Sequence, residues 1–575
     1  MKTPAKKPFE KATLDLKNWL KTNRTILITF VIYLLITLVA IHFHENWEDE
    51  AQAWLTVRDC SLPELVGRMK YEGHFLPWYL LIMPFAKLGL PFATINYISW
   101  LVAAVSVWLM LKHLPLKLYQ RIIFIFTLPM LYFFPVVARC YCLLPLAVIL
   151  LIMFHKDRYE KPFRYCLSIA LAALVHTHCL MFALVVGIDF VWGWFKQRKD
   201  FDKVKNRRLL FATLIPIVLV GASCFLFVDG IGNGSDLTIE ITDYNVLHVL
   251  MKSISRNLSS YAVFLPDMVG FFAFAIVASL LLLFRSQAFA RVVISVLWQY
   301  LVENLIFDTP LPQRMLLPFF FLLFFLCTLP AKTQQPLTLR GRLVASALLI
   351  AAVCFDGSLV YYIITTVFVA LAFTPSLVRV LKLRVDIKKF RRLVVPTFTL
   401  FALVSVGDSV YAIQNEIKNT YTDSKATAEF IKTELISDDS PILFMTSVQT
   451  NLIYTSIVAH LGNSAPTFYD MLFEKTYTYS ELTNFRKTEQ NETEEASKDD
   501  FEFCHQNNYA HCYYIYPIIS DLESLQALNQ DTPDEPKVYQ WLRNDQVKLI
   551  YDSTEYDDGW SLAAFEHFRI YEVMI

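Results

Sequence analysis

The sequence predicts an α-helical polytopic membrane protein of about thirteen crossings followed by a C-terminal extracytoplasmic α/β domain. Three observations carry that prediction. Of the 575 residues, 55% are hydrophobic and only 18% charged, with a mean hydropathy of +0.41, a balance rare in soluble globular chains. Basic residues gather in clusters separated by apolar stretches close to the ~20 residues that cross a bilayer as helix. Beyond residue 411 charged residues become frequent and the apolar runs shorten to strand length.

Lys2, Lys6, Lys7, Lys11, Lys17, Lys21 and Arg24 precede the apolar stretch Ile26 to Phe43. Basic flanks are retained in the cytoplasm, so residues 1–23 are expected inside and the first helix runs outward as an uncleaved anchor. The clusters Lys112 to Arg121, Lys156 to Arg164, Lys196 to Arg208, Arg285 to Arg291, Lys332 to Arg342 and Arg379 to Arg392 take the same side. Pro135 to Arg139, His176 to His178, Asp229 to Ser260, Phe307 to Gln313 and Phe355 to Ser358 then become external turns.

Phe75 to Leu88 reads as an interfacial or re-entrant piece, which leaves Ile95 to Leu111 for the crossing; three crossings here are the alternative. A transmembrane domain over 24–411 therefore carries a first external loop at 44–74, and 412–575 are expected outside the plasma (inner) membrane. In that last part Ser440 to Met445 and Cys512 to Pro517 have the pattern of buried strands, and Ser424 to Glu434 that of a helix capped by Ser424. Glu489 to Asp500 reads as a polar loop. Cys504 and Cys512 flank a short loop, bridged or reduced, in a compartment where a disulfide persists.

The acidic run Glu45-Asn46-Trp47-Glu48-Asp49-Glu50 lies directly behind the first apolar span. A carboxylate at the bilayer edge can accept a proton from an attacking hydroxyl or orient it; a solvated loop or a helix start favoured by the dipole is the structural alternative. Arg139 and Arg314 stand at the external ends of spans, where a guanidinium fork suits phosphate and snorkelling is the plainer role. His74, His176 and His178 fall on external turns and are candidates to line one cavity with Asp49. A spacing of two at a helix end is expected to point the rings of His176 and His178 apart, which disfavours zinc. Glu303, Asn304 and Asp308 form another polar set before Arg314. No glycine-rich phosphate loop follows a strand, and nothing points to a nucleic-acid partner.

Trp47-Glu48-Asp49-Glu50-Ala51, Glu72 to Leu81, Ala138-Arg139-Cys140-Tyr141, His176-Thr177-His178 and Gln313 to Pro318 resemble, in order and placement, the GT-C superfamily of membrane glycosyltransferases. They are similar to glycosyltransferase family 39, the protein mannosyltransferase and aminoarabinose transferase group, over roughly residues 20–330. The resemblance implies a GT-C-like bundle in a bacterial cell envelope. It implies inverting transfer of a sugar from a polyprenyl-phosphate donor to a lipid, glycan or protein acceptor on the extracytoplasmic side. Asp49 matches the family's loop acid, with Glu48 and Glu50 as further catalytic or metal-binding acids. Arg139 and Arg314 are implied as ligands of the carrier phosphate, and His74, His176, His178, Tyr141 and Glu303 as cavity residues. No cofactor is assigned, and a divalent metal is left open.

The turn 135–141 lacks the second carboxylate that several family members carry there, which weakens a paired-acid or metal-dependent mechanism, and the usual double proline after His74 is reduced to Pro77, so the carrier-facing segment is expected to be shaped differently. Two other functions compete: a polysaccharide polymerase or ligase using lipid-linked sugars, and a multi-span transporter, for which no internal repeat is visible.

Overall fold

The computed structural model describes residues 8–69, 74–231, 317–328, 405–419, 421–436, 442–446, 453–462, 467–470, 475–477, 511–518, 547–553 and 567–574. Helix α1 (Pro8–Phe43) is continuous, so the basic flank and the first apolar span form one rod. Two short helices follow, α2 (Glu48–Asp59) and α3 (Leu62–Arg68), then α4 (Leu76–Lys87) and α5 (Thr94–His113). At about 1.5 Å per residue α4 is too short to cross a bilayer, whereas the 20 residues of α5 suffice. That division matches the expected interfacial piece and crossing.

The bundle continues with α6 (Leu118–Ile125), α7 (Leu143–His155), α8 (Pro162–Ala173), α9 (Leu180–Gln197), α10 (Lys203–Ile231) and α11 (Leu317–Thr328). Among the described residues four helical stretches are long and apolar enough to cross a membrane: Asn23–Phe43, Thr94–His113, Thr177–Gln197 and Lys203–Leu226. Their outer faces expose rows of large apolar side chains, such as Val31, Leu35 and Val39 on α1 and Leu210, Leu214, Ile217 and Val218 on α10. Water would penalise such rows and lipid does not. The remaining expected spans lie outside the described residues.

Inside the bundle, α5 presents Asn96, Ser99, Ala103 and Ser106 as a buried stripe of small and polar residues. Small side chains let neighbouring segments approach closely. Facing this stripe, the chain breaks helical form. A π-turn (Pro129–Phe133) leads into an irregular buried segment, 134–139, and then a 3-10 turn (Cys140–Cys142). Pro135 lacks an N–H and cannot continue the helix.

A helix described over 405–418, α12, runs through the expected domain boundary at Tyr411. It is tied to the bundle by Ser409 Oγ donating to the Phe126 carbonyl at 2.7 Å and by the Leu128 N–H donating to Ser405 Oγ at 3.2 Å. The C-terminal domain follows, with α13 (Ser424–Phe430), a π-turn (Ile431–Leu435), α14 (Ile453–Leu461) and a six-stranded sheet. Its strands are β1 (Ile442–Thr446), β2 (Thr467–Asp470), β3 (Lys475–Tyr477), β4 (His511–Ile518), β5 (Val547–Asp552) and β6 (His567–Val573). They lie in the order β3-β2-β1-β4-β6-β5. Strands β2, β1 and β4 are parallel and the outer pairings antiparallel, with Phe444 opposite Tyr513 and Tyr514 opposite Tyr571.

The two expected strands are therefore present as β1 and β4. One other expectation changes. The residue capping α13 is Asp423, because Ser424 is already helical and its hydroxyl reaches the Asn46 carbonyl at 3.3 Å. Cys512 is buried on β4, and Cys504, its candidate bridging partner, lies outside the described residues. The stretch Glu489 to Asp500 also lies outside them.

Candidate active site

The site is built on the irregular segment 134–139. Backbone groups buried without regular secondary structure need partners, and here side chains supply them. Ser99 Oγ donates to the Phe134 carbonyl at 2.8 Å, and Asn96 Nδ2 to the Val136 carbonyl at 3.0 Å. Glu50 Oε1 accepts the Ala138 N–H at 2.5 Å and Asn96 Nδ2 at 3.1 Å. Glu50 is wholly buried in the first turn of α2, and its Oε2 takes the Trp47 N–H at 3.1 Å, closing the helix start. Acids in that turn also face the positive end of the helix dipole.

Beside this contact, Arg139, which follows Ala138, forms an ion pair with Asp49, which precedes Glu50. The Arg139 side chain is 6% exposed and that of Asp49 22%, so the pair sits at the rim of the buried region. Arg139 Nη2 lies 3.1 Å from His74 Nε2. A guanidinium only donates, so His74 Nε2 accepts and the ring proton resides on Nδ1. The Trp47 ring lies 6.0 Å from the guanidinium, within cation–π range.

His74 and His176 pair as an isolated antiparallel bridge, which brings their rings to 5.0 Å. Tyr141 lies 5.2 Å from His176 and 6.3 Å from His74, ring centre to ring centre. His176 Nδ1 stands 2.5 Å from His178 Nδ1 and 3.3 Å from the His178 backbone N–H. The expected divergence of these two rings is therefore corrected: His176 is extended before a 3-10 turn (Thr177–Cys179), and that bend folds the rings to 4.4 Å.

Behind the ion pair runs a buried chain of charges. His44 Nε2 is 3.2 Å from Glu50 Oε2, and His44 Nδ1 is 2.9 Å from Glu416 Oε1 on α12. Tyr132 Oη donates to the other Glu416 oxygen. Burial pushes the His44 imidazole down, but the two carboxylates and their hydrogen bonds outweigh it and hold the ring at about 10, as an imidazolium.

Of the residues the sequence singled out, Asp49, Arg139, His74, Tyr141, His176 and His178 are gathered in one cluster. Glu50 lies beneath it with its oxygens engaged by donors, and Glu48 is half-buried in the same helical turn. Arg314, Glu303, Asn304 and Asp308 lie outside the described residues. Among the described residues no group of three or more His, Cys, Asp or Glu is arranged to hold a metal ion. Sequence reasoning missed His44, Asn96 and Glu416. A buried asparagine in an apolar span was the visible signal for Asn96; Glu416 stands 372 positions from His44 and gave none.

No family model matches the chain, and no curated protein does. Two crystal structures of ArnT from Cupriavidus metallidurans, one bound to undecaprenyl phosphate and one in the apo state, are similar in overall architecture. Each gives a TM-score of 0.47 at 12% identity, covering 96% of this chain and 98% of that one. At that level the likeness assigns no residue a role.

Chemically, the cluster combines a partly exposed carboxylate, a guanidinium with five donors, and imidazoles at the end of an apolar bundle. It can bind an anion, exchange its internal ion pair for that anion, and accept a proton.

Proposed function

We propose that the chain is a membrane glycosyltransferase that moves a sugar from a polyprenyl-phosphate donor to a hydroxyl acceptor, with inversion at the anomeric carbon. The observation that supports this reading best is the ion pair of Asp49 with nearly buried Arg139. At rest each group occupies the other, so neither presents a free charge. A donor phosphate, with more acceptor oxygens and higher charge, takes Arg139 in a forked hydrogen bond and releases Asp49. The freed carboxylate accepts the proton of the incoming hydroxyl as that oxygen bonds to the anomeric carbon, and the carrier phosphate leaves with the electron pair of the broken bond.

His74, whose Nε2 accepts from Arg139, stands beside the place of the phosphate, where its ring would contact phosphate or sugar oxygens. Glu50 acts as a positioning residue that holds the segment bearing Arg139. An apolar groove of about 580 Å³ between α8, α9 and α10 starts at Leu180, two residues beyond His178, and offers a path for isoprenoid units. The resemblance of the motifs to glycosyltransferase family 39 agrees with this reading, as does the expected extracytoplasmic side. The test is reconstitution in liposomes with radiolabelled polyprenyl-phosphate sugars. Wild-type turnover that falls sharply in Asp49→Asn, with the variant still inserted and folded, supports the reading; equal rates would sink it.

A further inference from the structure

On the other side of the Glu50 network from the ion pair lies a second chamber, of about 600 Å³, between the membrane bundle and the C-terminal domain. That volume is in the range of small-molecule sites. Its walls come from four places: the end of α1 and the loop after it, the side of α2, the turn joining α4 to α5, and helices α13 and α14 with their π-turn. Lys425 and Lys432 supply cationic donors, Arg58 is paired with Asp59 at 2.6 Å, and Glu45 is the one carboxylate of the described lining.

Glu45 carries the most informative atom. Its Oε1 pairs with Lys425 at 3.6 Å, while its Oε2 is buried and has no hydrogen-bonding partner. Burial also raises the Glu45 pKa, with the nearby positive charges of Lys425 and His44 acting against it. A buried carboxylate oxygen without a donor is costly, and a ligand hydroxyl would satisfy it. Opposite, Lys432 uses one of its three N–H groups on the His460 carbonyl at 2.7 Å and keeps donors for an anion. Gly89 and Gly462 close α4 and α14 here with φ of 75° and 62°, and a Cβ on either would meet nothing within 4 Å. Both turns border open space.

We propose that this chamber binds a hydroxyl-bearing anion, a sugar or polyol substituted with phosphate or carboxylate. A hydroxyl donates to Glu45 Oε2, and the anionic group is held by Lys432 and Lys425. The ligand joins the first loop to the C-terminal domain, and because His44 and Asn96 both line the chamber and both hold Glu50, its occupancy bears on the ion-pair site. This binding is separate from the transfer reaction proposed above and does not depend on it.

The test uses the full-length protein in nanodiscs of phosphatidylcholine, with glucose phosphate and inorganic phosphate titrated by calorimetry. Wild type is expected to bind glucose phosphate saturably and more tightly than inorganic phosphate. Lys432→Met should weaken both by roughly tenfold, the loss of one charge-assisted bond. Glu45→Leu should erase the preference for glucose phosphate, and Ala93→Trp, at the exposed rim, should block both. Nanodiscs containing phosphatidylinositol separate the sources: competition with glucose phosphate identifies a lipid head as the occupant, and its absence a soluble one. No saturable binding, or binding unchanged by both Ala93→Trp and Lys432→Met, overturns the proposal. Absent donor turnover with glucose phosphate binding intact would count against the transfer reading alone.

Discussion

Glu50 Oε1 accepts the Ala138 N–H at 2.5 Å, and the residue before Glu50, Asp49, pairs with the residue after Ala138, Arg139, in the ion pair of the candidate site. The buried contact sets the register of the exposed one. Glu50→Ala leaves the Ala138 N–H and the Nε2–H of the His44 imidazolium without their acceptor. Breaking a buried charge pair from one side costs about 3–5 kcal/mol, so a large fall in melting temperature in detergent is expected, together with loss of transfer. A variant as stable as wild type would remove Glu50 from this positioning role.

Asp49→Asn keeps the shape of the side chain and removes its basicity. Loss of a general base lowers rates by roughly a hundred- to ten-thousand-fold, and the loss should fall on kcat with donor KM little changed. A donor KM that rises while kcat holds would instead mark Asp49 as a binding residue.

Arg139→Lys replaces a planar fork by a point charge that cannot serve Asp49 and His74 together. We expect weaker donor binding, seen as a raised KM and as loss of protection by polyprenyl phosphate in thermal-shift measurements. An unchanged KM would place the phosphate elsewhere.

The His44 imidazole titrates near 10 in the fold against an ordinary 6.5. A raised value means that the native state holds the proton more tightly, so the stabilisation is complete below about pH 6.5 and is lost as pH rises through 10. The melting temperature should fall across that window, and His44→Gln should be flatter as well as lower. A wild-type profile without that alkaline decline would show that the imidazolium is not the resting state.

His460 behaves in the opposite sense. Burial pushes it down to about 4 from 6.5, and its Nε2–H donates to the Asn46 carbonyl at 3.1 Å, joining α14 to the first loop. A lowered histidine value leaves stability intact above 6.5 and removes it as pH falls toward 4, because the released ring takes up the proton. Proteolysis of the C-terminal domain should accelerate over that acid range, and His460→Gln, which keeps a donor and cannot titrate, should suppress the acceleration. Equal pH dependence in both proteins would assign the undocking to other groups.

Hydropathy and charge placement sufficed for the helical membrane class and for the split between α4 and α5, because lipid burial and helix length act on each segment separately; the expected boundary at 411 instead falls inside α12. The strands β1 and β4 were legible for the same reason. Asp49, Arg139 and the three histidines could be named from their places at helix ends, where charge near lipid is costly and seldom idle.

Their mutual geometry could not be read that way. The helix period at His176 and His178 suggested diverging rings, and a local bend overrode it. The pairing of Asp49 with Arg139, the support of Ala138 by Glu50 and the link from His44 to Glu416 join positions 90, 88 and 372 residues apart. Composition and periodicity are local quantities and determined which segments are apolar enough to cross a membrane. Which buried donor meets which acceptor depends on chain segments that become neighbours only on packing, and tertiary structure alone decided it.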